Sequence, residues 1–565
     1  EAKMTIEEKI NNLISLFNNK QYERLIFEIE NNFKDKEINS QVLLILGLAR
    51  MKSLGRKLKD ILLATQNFKQ GYILDKKSKI GLECLRYYFY SINEKVELDN
   101  TLSPAEYVEI KKFFFEAKSI LSYDEKLFHA MSLLSFKDKN IDFRQEILKE
   151  LLDKNCSKDK NLIFFEYIHN NNYRYNWSQR DFFNFTDLIK KKLPHIKLSK
   201  IEEMKKEKIK IGFVSSNIGG NHSVTYFMKD LLDYKNENFE THIFSDIDEK
   251  REDDTTKIFK AKVDFFHNIS SKNNSEFASL LRSIGIDVLI DLNGYVGKGR
   301  VEIFNSRVCK IQISWLGYNN TIGLNHSDYL IADKHLILEK EKDHYKEKII
   351  YIDGIWNSHS GLNIEREFNK LPSQNSDFFT LGSFNNYTKI SDETLSVWTE
   401  ILKKIKNTKL ILKSSVTYSE IHFSEIFERE GVLNKVIFKD RPKNFEEHIN
   451  LYKDIDLCLD TFPYTGVTTT CEALWMNVPV ISMAGFNFNS RCGESILINS
   501  GLKDLVAKNK DDYISKVVSL ANDLEKLKKI RKFIFDDVLK TNTFNTKKFA
   551  ANFWKSILDT YKNHK

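Results

Sequence analysis

The sequence is poor in proline, glycine and cysteine, and it has no long apolar run. Its 565 residues include six prolines, 21 glycines and six cysteines, with no C-x-x-C pair. A helix that crosses a bilayer needs about 20 consecutive apolar residues, so we expect no membrane span. Scattered cysteines are typical neither of a zinc site nor of a disulfide framework. Because no positively charged segment followed by an apolar run opens the chain, we expect a globular protein of the cytoplasm.

Charge is not concentrated in any one region either. The 87 basic and 79 acidic residues are spread along the chain and leave a net charge of +8. Domains that bind nucleic acid carry their positive charge in a patch or stripe, so we expect no nucleic acid partner.

The length of the chain bounds the number of domains. Single cores stop growing at about 250 to 300 residues, which predicts two to four domains. The sequence does not indicate an oligomeric state.

Helical periodicity dominates the first 200 residues. Apolar residues recur every three or four positions, as at Ile6, Ile10 and Leu13, which is the period of an α-helix. We therefore predict an all-helical domain over residues 1–200. Its segment VLLILGLARMKSLG, residues 42–55, has the small-residue spacing of a tetratricopeptide-like helix pair, but no second clean copy follows at the same period. Degenerate helical repeats and a plain helical bundle both fit this pattern.

The pattern changes at KIKIGFVSSN, residues 208–217, where short β-rich runs begin to alternate with helical segments. This alternation is typical of parallel sheets. Ten strands are too many for one small doubly wound domain, so we divide them into two Rossmann-like lobes, residues 207–354 and 355–540, with a cleft between them. A C-terminal segment, residues 541–565, carries a last helix. The predicted strands are Ile209–Val214, Val288–Leu292, Gln312–Trp315, Tyr329–Ala332, Ile349–Ile352, Phe379–Ser383, Lys409–Leu412, Val436–Lys439, Leu457–Leu459 and Val480–Met483.

One strand-turn-helix in the second lobe, FPYTGVTTTCEALW at residues 462–475, has the chemistry of a diphosphate cradle. Gly466 allows a ligand to approach the backbone, and the first-turn amides with the hydroxyls of Thr468, Thr469 and Thr470 are donors at the positive end of a helix. Glu472, one helical turn later, is placed to accept hydrogen bonds from ribose hydroxyls. The structural alternative is that Thr468 is an N-cap and Glu472 a favourable first-turn acid.

A second loop in the same lobe, LGSFNNYTKIS at residues 381–391, leaves another strand before a helix that Ser391 would cap. Lys389 could reach into the cleft as a cation against phosphate charge, or it could be an ordinary solvated lysine. Asn385 and Asn386 could bind the donor or simply form the turn.

The first lobe contributes a Gly-Gly loop followed by His222, in GFVSSNIGGNHSVTYFMKDLL at residues 212–232. A histidine at a strand end facing a cleft can exchange a proton near neutral pH. A lone histidine is also commonly structural.

Six segments spread over the two lobes form a recognisable set: HSVTYF, IDVLIDLNGY, IQISWLGYNNTIGL, GSFNNYTKIS, LDTFPYTGVTTTCEALWMNVPVISMAG and FNTKKF. Together they resemble the catalytic half of the protein O-GlcNAc transferase and SPINDLY family, the family-41 glycosyltransferases. The resemblance runs in order from about residue 208 to residue 561 and favours a bacterial-type member. It implies a GT-B type fold and an inverting, metal-independent transfer of a sugar from a nucleotide donor to serine or threonine of a protein.

The resemblance also implies roles for residues of the second lobe. Thr468–Thr470 would bind the diphosphate, and Glu472 would bind the ribose. Lys389 would neutralise the leaving diphosphate. His448, in EEHINLY, would lie beside the base and ribose.

In the first lobe, His222 would lie by the sugar and the acceptor, so His222 and Lys389 are the predicted catalytic residues. Gly317 and Tyr318 of WLGYNN would line the sugar pocket. The last helix, Thr546–Tyr561, would return to the first lobe. No cofactor or metal is implied beyond the nucleotide-sugar co-substrate, and the general base is either His222 or water.

Two points of chemistry stay open. The D-x-D runs at Asp246–Asp248 and Asp454–Asp456 could indicate a metal-dependent transferase, although such runs arise by chance in a chain with 79 acidic residues. Val467 replaces the histidine of the animal enzyme's cradle, and FNN and TTTCEALW are closer to SPINDLY, whose plant form uses GDP-fucose. FNSRCGES at residues 488–495 is closer to the GlcNAc branch. We expect UDP-GlcNAc as the donor, with GDP-fucose as the alternative.

The acceptor is a separate expectation. We expect the helical domain of residues 1–200 to select a protein acceptor, because a two-lobed donor site does not need it. The alternatives are a transferase that acts on a non-protein acceptor and a non-catalytic scaffold, and an intact Lys389, Glu472 and threonine-rich turn disfavour the scaffold.

Overall fold

The computed structural model describes residues 4–53, 57–99, 102–220, 222–413 and 418–565. Residues 54–55, which end the VLLILGLARMKSLG segment, and Asn221, in the His222 loop, lie outside this described part. The described residues form two compact units. The first extends to Lys160 and includes residues 418–423, and the second holds the rest.

The first unit is all helical, and consecutive helices pack against each other as pairs. Thr5 begins it with a capping box, in which its side chain and that of Glu8 bond reciprocally to backbone amides. Gly47 allows close packing, because a Cβ there would lie 2.5 Å from the ring of Phe68. This arrangement agrees with a tetratricopeptide-like region. Its helices are α1 (Ile6–Asn18), α2 (Tyr22–Asn32), α3 (Ser40–Lys52), α4 (Leu58–Leu74), α5 (Lys79–Asp99), α6 (Pro104–Leu121), α7 (Glu125–Lys137) and α8 (Ile141–Asp153).

The second unit contains two parallel sheets, which confirms the predicted two-lobed α/β fold. The first sheet has seven strands in the order β3-β2-β1-β4-β5-β6-β7, and the second has six in the order β10-β9-β8-β11-β12-β13. The strands of the first are β1 (Ile209–Ser215), β2 (Phe239–Ser245), β3 (Phe265–Asn268), β4 (Val288–Asp291), β5 (Ile311–Ser314), β6 (Tyr329–Ala332) and β7 (Lys348–Tyr351). Those of the second are β8 (Phe379–Ser383), β9 (Thr408–Lys413), β10 (Val436–Lys439), β11 (Leu457–Leu459), β12 (Val480–Met483) and β13 (Val506–Ala507).

The two sheets change direction of strand order at β1/β4 and at β8/β11. In open α/β sheets, ligands bind outside the carboxyl ends of the strands at such switch points. The loops after β1, β8 and β11 carry His222, Lys389 and the threonine-rich turn. The topology therefore places three of the predicted site elements where a ligand is expected.

The remaining helices surround the sheets or connect them. The chain passes from the first sheet to the second between Tyr351 and Phe379. Although helix continues to residue 192, the part after Lys160 is compact with the sheets rather than with the first unit. These helices are α9 (Lys160–Asn170), α10 (Gln179–Lys192), α11 (Ser223–Asp233), α12 (Asp254–Lys262), α13 (Asn274–Ile284), α14 (Asp392–Lys404), α15 (Tyr418–Arg429), α16 (Phe445–Asn450), α17 (Thr468–Trp475), α18 (Cys492–Asn499), α19 (Lys510–Ala521), α20 (Leu524–Asp537) and α21 (Thr546–Asn563).

The last helix, α21, packs on the first sheet. The indole N–H of Trp554 donates to the carbonyl of Leu231 at 3.2 Å, and the ring of Phe553 lies 4.8 Å from that of Trp315. These aromatic side chains are buried, so burial of α21 contributes to the core of the first lobe. No helix in the described ranges is long and apolar enough to cross a membrane.

Candidate active site

The turn between β11 and α17 leaves the first amides of the helix uncapped. Val467 occupies the N-cap position with φ −119° and ψ −76°, and no side chain among the described residues bonds to the first turn as a cap. Most N-caps are extended and accept a first-turn N–H through an oxygen, which valine lacks. The structure therefore places the N-cap at Val467 rather than at Thr468, and the amides of the first turn remain available as donors.

This turn is held by hydrogen bonds to the carboxylate of Asp460 and by close packing at Gly466. The Gly466 N–H donates to Oδ1 of Asp460 at 2.8 Å, and Ser482 donates its hydroxyl to Oδ2 at 2.6 Å. A Cβ on Gly466 would lie 2.9 Å from Oγ1 of Thr470 and 3.0 Å from Oδ1 of Asn385. Burial raises the pKa of Asp460 to about 6, although its hydrogen bonds and the charge of Lys389 oppose the shift.

Lys389 lies against the same turn. It ends a 3-10 turn, Tyr387–Lys389, that follows β8. Its Nζ donates to the carbonyl of Thr465 at 3.2 Å and lies 4.5 Å from the ring centroid of Tyr464. Burial lowers the pKa of Lys389, and the negative charge of Asp460 opposes this effect. The cation is therefore held next to the uncapped helix rather than solvated at the surface.

The two asparagines of the β8 loop differ. Asn385 is buried, donates to Oδ1 of Asp460 at 3.5 Å, and its Oδ1 has no hydrogen-bond partner within the described part of the chain. Asn386 is exposed, and its Oδ1 accepts from the backbone N–H of Thr388 at 3.1 Å. Asn386 therefore forms the turn, whereas Asn385 belongs to the wall of the cradle. Ser391 caps α14, as predicted.

Glu472 forms a polar cluster one turn into α17. It is 7% exposed, and its Oε2 lies 3.0 Å from Nε2 of His448 and accepts from the hydroxyl of Tyr452 at 3.1 Å. Nδ1 of His448 is buried without a hydrogen-bond partner among the described residues. The structure thus brings together Glu472 and His448, which are distant in the sequence, and leaves polar atoms suited to a nucleoside.

His222 occupies the N-cap position of α11. Its Nδ1 accepts the backbone N–H of Val224 at 3.3 Å. Because Nδ1 acts as acceptor, the proton of the neutral ring belongs on Nε2. Desolvation by the surrounding protein lowers the pKa of His222 below its ordinary value. Nε2 of the neutral ring is consequently a hydrogen-bond donor.

Gly317 and Tyr318 lie in a tightly packed loop after β5. A Cβ on Gly317 would lie 1.8 Å from the carbonyl oxygen of Leu292, so glycine is required at this position. Tyr318 is buried, and its ring lies 5.3 Å from that of Tyr295. The next residue, Asn319, donates to Sγ of Cys492 at 3.5 Å. This contact joins the loop of the first lobe to the start of α18 in the second.

The lobes also meet beside Glu472. The pKa of Tyr226, on α11, is raised to about 12 by burial, and the charge of Glu472 adds to the shift. A cavity of about 650 Å³ opens next to Tyr226 and contacts both lobes. Its lining includes Thr225, Tyr226, Lys229, Ile364, Phe445 and Glu446.

One aspartate of each D-x-D run, Asp246 and Asp456, has structural partners. Asp246 forms a bidentate ion pair with Arg300, at 2.7 and 3.0 Å. Asp456 accepts from the backbone N–H groups of Ser373 and Thr380, at 2.9 and 2.7 Å. These contacts account for both carboxylates as parts of the fold.

Sequence reasoning missed two residues of this site, Asp460 and Tyr464. A signal for Asp460 exists, because it directly follows β11 at the switch point of its sheet. Tyr464 carries no such signal, since its role comes from its ring contact with Lys389, which lies 75 residues earlier in the chain.

Comparison with known proteins places this geometry in a family. The family model described as glycosyl transferase family 41 matches residues 184–359 and 362–553. A protein of Eustoma exaltatum subsp. russellianum named "Probable UDP-N-acetylglucosamine--peptide N-acetylglucosaminyltransferase SPINDLY" is 32% identical over 320 residues, which is 55% of this chain and 35% of that protein. Its namesake of Arabidopsis thaliana is 30% identical over 369 residues, which is 61% of this chain and 39% of the relative. The match thus spans little more than a third of these relatives.

A solved structure shares the whole architecture. The structure of a mutant O-GlcNAc transferase of Thermobaculum terrenum superposes with a TM-score of 0.75 at 20% identity, and the superposition covers 93% of this chain and 98% of that one. This likeness shows a common fold, a helical region followed by two GT-B type lobes.

Proposed function

The chain belongs to glycosyl transferase family 41, and on this premise we propose that it is an inverting, metal-independent transferase that moves N-acetylglucosamine from UDP-N-acetylglucosamine to serine or threonine of a protein. The observation that carries the proposal is the uncapped start of α17 with the ammonium of Lys389 beside it. In the proposed step the acceptor oxygen attacks the anomeric carbon, the bond to the diphosphate breaks, and the acceptor hydroxyl loses its proton.

The first requirement of this step is stabilisation of the leaving group. Negative charge grows on the diphosphate as the sugar departs, and preorganised donors in a partly buried site stabilise such charge strongly. The first-turn amides of α17 and the Lys389 ammonium supply donors and a positive charge at one place. Together they take the place that a divalent cation occupies in metal-dependent transferases.

The second requirement is to hold the nucleoside. The carboxylate of Glu472 lies about one helical turn beyond the cradle, which suits a ribose whose diphosphate occupies the first turn. Nε2 of His448 lies 3.0 Å from this carboxylate, and its buried Nδ1 has no hydrogen-bond partner among the described residues. We assign Glu472 to the ribose and His448 to the region of the ribose and base.

The acceptor side belongs to the first lobe. Because Nδ1 of His222 accepts a backbone N–H, its Nε2–H would donate to the sugar or the acceptor rather than remove a proton. We therefore assign proton removal to water. The acceptor would approach along the cavity beside Tyr226, and the helical region before residue 200 would select it.

The proposed donor sugar follows from the relatives rather than from the geometry of the cradle. The names of the two SPINDLY relatives specify UDP-N-acetylglucosamine, which favours this donor. GDP-fucose is the alternative that the SPINDLY-like turn suggests. Both donors present a diphosphate to the same turn, so the geometry of α17 supports either.

A nucleotide-sugar panel combined with one pair of variants tests the proposal. We expect UDP-N-acetylglucosamine to be consumed in the presence of EDTA at the rate seen without it. Replacing Glu472 by Gln should weaken UDP binding about tenfold, since a hydrogen bond to a charged group contributes roughly 1.5 kcal/mol or more. Isothermal titration calorimetry measures the affinity.

The control for this test is Glu393→Gln, which changes an acid in the first turn of α14, after the neighbouring strand β8. Because Ser391 caps α14, this variant should bind UDP like the wild type. Unchanged affinity in Glu472→Gln would contradict the ribose assignment, and loss of activity in EDTA would contradict metal independence. Preferential use of GDP-fucose would change the proposed donor but not the proposed mechanism.

A further inference from the structure

The segment between α9 and α10 enters the cleft of the second unit. Residues Asn171–Tyr173 form a 3-10 turn after α9. Oδ1 of Asn172 accepts from Nδ2 of Asn320, in the first lobe, at 3.0 Å. Its carbonyl accepts from Nδ2 of Asn489, in the second lobe, at 3.2 Å. A short helical-region segment thus bonds to both lobes at the cleft.

The next residue stacks on the cradle turn. The rings of Tyr173 and Tyr464 lie 4.6 Å apart with an interplanar angle of 23°. The ring of Tyr464 also receives the ammonium of Lys389 at 4.5 Å, and Lys389 donates to the adjacent Thr465 carbonyl at 3.2 Å. A continuous series of contacts therefore leads from Tyr173 through Tyr464 to the cation.

Tyr173 participates through its ring. Burial raises the pKa of Tyr173 above its ordinary value, so its hydroxyl stays neutral. Stacked aromatic pairs have a preferred geometry, and a cation over a ring is attracted by the negative face of the ring. Loss of the Tyr173 ring would leave Tyr464 free to tilt and would move the surface on which Lys389 rests.

We propose that Tyr173 is a positioning residue of the active site, whose ring fixes Tyr464 and thereby holds Lys389 against the leaving diphosphate. This inference rests on the proposed function of Lys389. It predicts a defect in the rate of sugar departure, because a displacement of about 1 Å in a catalytic group can lower a rate by up to about 10². The affinity for the nucleotide should change little, because the α17 amides and Glu472 are not displaced.

The test compares variants of the full-length chain. Tyr173→Leu keeps an apolar side chain without an aromatic ring, and Tyr173→Phe keeps the ring without the hydroxyl. We expect Tyr173→Leu to lower kcat about tenfold or more while KM for the donor stays within about twofold. Tyr173→Phe is expected to retain the wild-type kcat. Tyr175→Leu is the matched control, because Tyr175 is 41% exposed and its ring contacts that of Phe486, at 6.1 Å, rather than that of Tyr464.

A second measurement does not depend on activity. Reductive methylation of the Lys389 amine, followed by mass spectrometry across a pH series, reports its titration in the environment of Asp460 and Cys492. In Tyr173→Leu the amine should gain solvent and titrate at a higher pH than in the wild type, whereas Tyr173→Phe and Tyr175→Leu should follow the wild-type curve. Absence of transferase activity in the wild type would refute the function of Lys389, whereas identical labelling curves in the wild type and Tyr173→Leu would refute its dependence on Tyr173.

The proposal is overturned by two outcomes. One is a wild-type kcat and labelling curve in Tyr173→Leu. The other is an equal loss of kcat, nucleotide affinity and thermal stability in Tyr173→Leu, which would show that the ring serves only the stability of the fold. If the wild type neither binds UDP nor transfers a sugar, the proposed function fails, and the labelling curves alone decide whether Tyr173 controls the lysine.

Discussion

The turns after β1 and β11 are built alike but differ in whether a side chain caps the helix that follows. Each follows a strand at the switch point of its sheet. In each, an aspartate accepts a glycine N–H, from Gly466 to Asp460 at 2.8 Å and from Gly220 to Asp253 at 2.5 Å. The helix after β1 is capped by the side chain of His222, whereas the helix after β11 has no side-chain cap within the described part of the chain.

This difference separates a helix start that a side chain caps from one whose open amides we propose to bind the diphosphate. A cap satisfies the amides that an anion would otherwise bind, and it stabilises the helix by about 1 kcal/mol. At α17 no side-chain cap is present in the described part of the chain, and the Lys389 ammonium donates to the carbonyl of Thr465, three residues before the helix, at 3.2 Å. An anion-binding site is therefore indicated more specifically by two features together than by either alone. These features are an uncapped helix start after a central strand and a buried cation next to it.

The largest effect is expected from removing the cation. Lys389→Ala should lower kcat by about 10² to 10³ and change KM less, because the interaction strengthens as charge develops on the diphosphate. Steady-state kinetics with the preferred donor measures both constants. If Lys389→Ala transferred sugar at the wild-type rate, the charge of Lys389 would no longer distinguish the β11 turn from the β1 turn.

The pH dependence of kcat/KM in Lys389→Arg tests the charge of this side chain further. Burial lowers the pKa of Lys389 from its ordinary value of 10.5, so kcat/KM, which reports the free enzyme, should fall as pH rises before that value is reached. Lys389→Arg stays charged because arginine has a pKa above about 12, so this alkaline decline should disappear in the variant even if its rate is lower. Persistence of the decline would assign it to another group.

An intermediate effect is expected from filling the space above Asp460. Gly466→Ala would place a Cβ 2.9 Å from Oγ1 of Thr470, and overpacking of this kind costs about 1 to 3 kcal/mol. We expect lower thermal stability and weaker UDP binding, measured by calorimetry.

The matched control lies in the other turn. Gly219→Ala would place its Cβ 3.2 Å from Oγ1 of Thr256, a contact that a small shift can relieve. It should lower stability less and leave UDP affinity unchanged. If both variants lost the same affinity for UDP, the β11 turn would not be the distinct diphosphate site.

Much of the fold could be predicted from sequence, because most strands of parallel sheets are short, apolar runs between helices. All ten predicted strands exist, within a residue or two of the predicted ends. Three others were missed. β2 contains Glu240 and His242, β3 is the mixed run FFHN, and β13 has only two residues, so none shows a continuous apolar pattern.

The site was harder to predict, because its geometry depends on contacts between distant residues. The turn at Thr468–Thr470 could be identified from residue type, yet its actual N-cap, Val467, could not, since capping depends on backbone angles. Asn386 was predicted to bind the donor or to form the turn; its Oδ1 accepts a hydrogen bond within its own turn, and donor binding by Asn386 stays a prediction. No local pattern connects Tyr173 with Tyr464, which are brought together only by folding.

The smallest effect is expected at the capped helix, and it concerns His222. Replacing this residue by Ala removes the acceptor for the Val224 N–H and should lower the free energy of unfolding by about 1 kcal/mol. Asn is a good N-cap, so His222→Asn should retain wild-type stability at neutral pH. Chemical denaturation at several pH values measures both differences.

The same pair of variants decides the role of the ring. The folded state lowers the pKa of His222 from its ordinary value of 6.5, so the unfolded chain binds more protons below that pH, and the wild type should lose stability relative to His222→Asn as pH falls through 6.5. In transfer assays, Asn can still donate a hydrogen bond through its amide while its oxygen caps the helix, so His222→Asn should keep most of kcat if the histidine is a donor. A general base could not be replaced in this way, and its loss would lower kcat by about 10² to 10⁴. A decrease of that size in His222→Asn, at unchanged stability, would show that His222 removes the acceptor proton despite its cap.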